Sequence, residues 1–137
     1  MDKINLDPYL YFAGDCKEAM EFYKSIFGGN LEVQTYSEFS GDMPGKNEHP
    51  DWVMHCLLDG DVRLMASDSQ KASPSSAKVE LSLSGTDDAK LRNCYNGLSS
   101  GGKVTMPLEK APWGDTFGML SDKYGIDWVI NISEIKE

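Results

Sequence analysis

The residues most able to do chemistry are few and scattered. The chain has two histidines, and His55 stands in the apolar run Val53-Met54-His55-Cys56-Leu57-Leu58. An imidazole there could line a ligand site or serve as a general base, since its charge changes near neutral pH. The competing reading is a core histidine satisfied by a neighbour. His49, in a polar loop, reads as solvated surface. Arg63 alternates with Val62 and Leu64. Aimed into a site, its guanidinium would grip a carboxylate or phosphonate in a two-pronged hydrogen bond. Aimed outward, it would lie over the sheet or pair across a dimer, the commoner fate of long charged side chains. Trp113-Gly114-Asp115 follows Pro112 and sets an aromatic face beside a carboxylate, either as the rim of a ligand site or as a structural turn. Met65 and Phe117 would line the same site, with core packing as their alternative. Cys16 sits where a helix dipole lowers a thiol pKa, but no base stands beside it in sequence.

The wider composition removes several classes of chemistry. With 137 residues the chain is one domain or two small modules sharing a core. Its net charge of −9 repels phosphate backbones, so nucleic acid is not an expected partner. Three cysteines without a C-x-x-C spacing provide neither a disulfide framework nor a thiolate zinc site. A P-loop and a G-x-G-x-x-G fingerprint are both missing and no nucleophile elbow is expected, which leaves hydrolase, NTPase and dinucleotide readings without support. No apolar run is long enough to cross a membrane, and the beginning MDKINLDPYLYF lacks a signal-peptide pattern, so the expected location is cytoplasmic.

The elements that must position these residues repeat. Asp15-Cys16-Lys17-Glu18 has capping-box spacing, and Ala19, Phe22, Tyr23, Ile26 and Phe27 form an apolar stripe that ends at Gly28-Gly29. This spacing predicts a helix over 15–27. Thr86 or Asp87 opens a second helix, with Leu91, Cys94, Tyr95 and Leu98 on one face, ending before Gly101-Gly102. Apolar runs at 9–14 and 79–85 precede the helices as strands. Alternating runs at 31–36, 52–58 and 62–66 follow the first helix, and runs at 104–108, 116–120 and 126–132 follow the second. The chain is thus a tandem repeat of βαβββ. A polar loop over 40–50 distinguishes the first copy, and a linker over 67–76 separates the two. Four twisted strands backed by one helix leave one sheet face uncovered, and two such sheets can curl around a cleft, within one chain or between two.

These residues resemble a known family. Pro8-Tyr9-Leu10-Tyr11-Phe12-Ala13-Gly14-Asp15, Ala19-Met20-Glu21-Phe22-Tyr23 and Phe27-Gly28-Gly29 are similar to the PhnB-like branch of the vicinal oxygen chelate superfamily. So are Val53-Met54-His55, Leu64 to Asp68, Pro112 to Gly118 and Asp122 to Trp128, which carry the likeness along nearly the whole chain. That superfamily includes glyoxalase I, bleomycin-binding proteins, fosfomycin-resistance enzymes and extradiol dioxygenases. The resemblance implies paired βαβββ modules, usually in a homodimer. Its metal-dependent members take His, Glu or Gln ligands from the first and last strands of each module. Carried onto this chain, those positions fall at or beside Pro8, Met65, Val79 and Val129, none of which can act as an imidazole or carboxylate donor.

The expected fold is therefore α+β and glyoxalase-like. Residues 1–137 form a single domain of two modules, 6–66 and 77–134, with curled mixed sheets around a shared cleft. The expected function is binding of a small molecule as a homodimer, without metal or cofactor. His55, Arg63, Met65, Trp113, Asp115 and Phe117 are the candidate ligand residues. The alternative is a metal-dependent enzyme of glyoxalase or dioxygenase type.

Overall fold

A computed structural model describes residues 5–38, 48–69 and 79–134. The chain divides into two units, 1–73 and 74–137. In the first, β1 (Tyr9–Phe12), α1 (Cys16–Phe27), β2 (Asn30–Thr35), β3 (Val53–Asp59) and β4 (Arg63–Asp68) follow in order. In the second they are β5 (Leu81–Gly85), α2 (Asp88–Ser99), β6 (Lys103–Lys110), β7 (Thr116–Ser121) and β8 (Asp127–Ile132). The strand orders are β1-β4-β3-β2 and β5-β8-β7-β6. In each sheet the first strand pairs parallel to the last, and the other pairs are antiparallel. This is an α+β fold built from two βαβββ copies. The loop read at 40–50 falls largely outside the described residues, as does most of the linker read at 67–76.

Alternation divides each sheet into two faces. In the first unit Leu10, Phe12, Cys56, Leu58, Leu64 and Ala66 are buried on the helix side. They meet Cys16, Ala19, Met20, Tyr23 and Phe27, the buried stripe of α1. The expected stripe is rotated slightly, because Phe22 and Ile26 are only half-buried while Cys16 and Met20 are enclosed. In the second unit Leu91, Cys94 and Leu98 of α2 are buried, as are Leu120, Trp128, Ile130 and Ile132 of the sheet.

The two helices begin differently. Asp87 caps α2 as expected, its carboxylate accepting the Lys90 N–H at 3.1 Å. Asp15 stands at the N-cap of α1 but makes no side-chain cap hydrogen bond, so its half of the expected capping box does not form. Asp68 takes over this task from the end of β4. Its Oδ1 accepts the N–H groups of Gly14 at 2.7 Å and Cys16 at 3.0 Å, and its Oδ2 accepts that of Val53 at 2.9 Å. Ser67 and Asp68, read as linker, are therefore buried strand residues. Their polarity suggested a loop, whereas three backbone donors make the burial of Asp68 tolerable.

Candidate functional site

The face of the first sheet turned away from α1 carries three of the candidate residues. Met65 lies between Tyr9 on β1 and Leu57 on β3 in one cross-strand row. His55 lies opposite Gln34 in the next row. It is exposed, with its ring 6.1 Å from Tyr9, so the reading of a core histidine fails. Tyr9 in turn lies 5.0 Å from Tyr11. Arg63 is on this face too, but its guanidinium is already engaged by Asp7 at 3.1 Å and Asp59 at 3.4 Å. Both carboxylates would compete with any anionic ligand. His49 is half-buried and stacks on Trp52 at 3.7 Å, so it is not simply solvated.

The other three candidates come together at one end of the second sheet. Asp115 closes the turn between β6 and β7, where the Ala111 N–H donates to the Asp115 carbonyl at 2.7 Å. Gly114 turns the chain there with φ +106°, a conformation glycine adopts without a Cβ clash. Trp113 is 64% exposed and meets Phe117 edge-on, with ring centroids 5.6 Å apart. Asn131, directly opposite Phe117 on β8, donates from Nδ2 to Asp115 Oδ2 at 3.0 Å. Sequence reasoning missed Asn131. The available signal was an amide two residues beyond Val129, on the polar beat of an apolar strand.

The metal positions carried over from the resemblance shift on the first strands, by one residue on β1 and by three on β5. Pro8 and Val79 precede β1 and β5, and the residues opposite Met65 and Val129 are Tyr9 and Ser82. A thioether, a branched aliphatic group, a phenol and a hydroxyl contribute no imidazole or carboxylate. Asp7 is two residues from Tyr9 and shares its face, but it is held by Arg63. Among the described residues no three His, Cys, Asp or Glu side chains come together as possible ligands. The four side chains at these positions do not make a donor set for a divalent metal.

Cys16 departs from its expected tendency. Its hydrogen bond with the Cys56 thiol, its complete burial and the nearby Asp68 carboxylate push its pKa well above the ordinary thiol value, opposing the helix dipole. It is a neutral core thiol. Gly97-Leu98-Ser99-Ser100-Gly101 has G-x-S-x-G spacing, but it ends α2 instead of leading into a helix. Ser99 Oγ donates to the Asn96 carbonyl at 3.1 Å, so no nucleophile elbow exists. A shallow groove of about 270 Å³ near the start of α2 is lined by Thr86, Asp88, Thr116, Ile132, Ser133 and Glu134, none of them candidate residues.

Two βαβββ units carry aromatic and polar groups on their helix-free faces, and residues 5–130 match one family model. The chain belongs to the Glyoxalase/Bleomycin resistance protein/Dioxygenase superfamily. Protein PA1353 from Pseudomonas aeruginosa is 33% identical, with a TM-score of 0.81 over 97% of this chain and 100% of that one. Protein YjdN from Escherichia coli is 29% identical over 145 residues, covering 93% of this chain and 94% of the relative. The PhnB protein from Bacillus cereus, at 24% identity and a TM-score of 0.75 over 95% of this chain and 100% of that one, shares the fold. Among the described residues no helix is long and apolar enough to cross a membrane.

Proposed function

We propose that this chain is a metal-independent small-molecule-binding member of the superfamily, and that His55, Arg63, Met65, Trp113, Asp115 and Phe117 serve the ligand. The observation that carries the reading is the corner formed by Trp113 and Phe117, where Asn131 fixes the Asp115 carboxylate. Aromatic surface with one oriented polar group suits an organic ligand better than a metal-bound substrate. Thioether, phenol and aliphatic groups at the superfamily's metal positions support the same reading, because they replace lost metal hydration poorly. We further propose a homodimer, supported by the helix-free face that each sheet retains, and a cytoplasmic location.

Thermal-shift screening against a metabolite and antibiotic panel, with and without divalent metals, tests this function. An organic ligand at a hundred times its Kd adds about 2.7 kcal/mol to stability, which a melting curve resolves. Stabilisation by organic compounds independent of added metal is the expected result. One equivalent of transition metal per chain, lost with a measurable activity on chelation, would replace this reading with the enzyme.

A further inference from the structure

The second sheet narrows the chemistry of the ligand. On its helix-free face Phe117, Met119 and Val129 stand in register as an apolar centre. Glu109 lies opposite Phe117 on one side, and Asn131 with its carboxylate partner Asp115 on the other. Asp127 lies further along the same face, hydrogen-bonded by the Ser121 hydroxyl. Among the described residues no lysine or arginine pairs with Glu109, Asp115 or Asp127. Lys110 pairs with Glu134 at 3.0 Å, and Arg92 pairs with Asp88 at 2.7 Å.

Asp115 differs from an ordinary surface acid in two ways. The Asn131 amide holds one carboxylate oxygen, which fixes the group's direction without neutralising its charge. The Trp113 ring, two residues earlier in the same turn, is largely exposed and is braced edge-on by Phe117. Ring faces carry partial negative charge, so a cation near them gains from both the rings and the carboxylate. An anion would meet repulsion from every one of these groups, in a chain whose net charge is −9.

We propose that this face binds an organic cation, a protonated or quaternary amine on an aromatic or apolar body. Asp115 is its charge partner, and Trp113 and Phe117 are its ring contacts. The inference rests on the small-molecule reading and adds the sign of the ligand's charge.

Isothermal titration calorimetry on the full chain with three probes of one shape tests it. Benzyltrimethylammonium is the cation, benzyl alcohol the neutral control and benzoate the anion. The cation is expected to bind at least about tenfold tighter than benzyl alcohol, and benzoate not at all. Asp115→Asn should weaken the cation about fivefold to tenfold and leave benzyl alcohol unchanged. Trp113→Ala, at an exposed position that the fold does not need, should weaken both. Equal or tighter binding of benzyl alcohol or benzoate would overturn the cation inference and leave the small-molecule reading standing. Binding of none of the three would overturn the cation inference as well. A requirement for divalent metal in the panel screen would remove both readings.

Discussion

Replacing Asp68 with alanine should destabilise the first unit more than any surface change. The carboxylate is 1% exposed and accepts three backbone N–H groups, from Gly14, Cys16 and Val53. It joins the N-terminus of α1, the start of β3 and the end of β4, and the first of these adds a favourable helix dipole. Each donor left without a partner in the interior costs about 1–3 kcal/mol, and water entering the small vacated space recovers part of it. Asp68→Ala is therefore expected to cost about 3–5 kcal/mol, a large share of a domain's usual 5–15 kcal/mol. Asp68→Asn keeps an oxygen for Gly14 and Cys16 but turns an amide N–H toward the Val53 N–H. It should cost about 2 kcal/mol. Urea unfolding followed by far-UV circular dichroism and by tryptophan fluorescence measures both, with an unchanged slope certifying the comparison. A loss below about 1 kcal/mol for Asp68→Ala would refute the reasoning, since buried donors would then be finding partners elsewhere.

Two further outcomes follow from the packing. Gly102→Ala places a Cβ 2.3 Å from the Ser121 carbonyl oxygen and 2.9 Å from Asp122 Cα, so backbone must move. It should cost about 2–3 kcal/mol in urea unfolding, whereas Gly28→Ala, with nothing within 4 Å but φ +71° and ψ −161° in a region nearly reserved for glycine, should cost about 1–3 kcal/mol through backbone strain alone. Cys16, with its raised pKa, should resist alkylation in the folded protein. Because the unfolded chain releases that proton first, the stability this thiol contributes is present below the ordinary value of 9.0 and falls as pH rises through it. Cys16→Ala should flatten the alkaline loss of melting temperature between pH 8 and 10, and an unaltered slope would count against the shift.

Local signals were enough for the element order. The apolar stripe from Ala19, the Gly28-Gly29 stop and the Asp87 cap act within one or two helical turns, so α1 and α2 were legible at their sequence positions. The same holds for the period-two strands and the repeat. Pairing register needed the folded sheet. The partner of Met65 is Tyr9 and not Pro8, because a parallel ladder between strands more than 50 residues apart leaves no mark in either strand alone. The work of Asp68 was hidden for the same reason. It looked like linker, since the N–H groups that justify its burial belong to residues 52, 54 and 15 positions away. The candidate residues Trp113, Asp115 and Phe117 were close enough in sequence to be suspected together. Only tertiary structure set Asn131 against Asp115 and engaged Arg63 with Asp7, because hydrogen bonds and ion pairs depend on distance in space. Composition and periodicity determine which face of an element is apolar, while the fold decides which polar groups meet there.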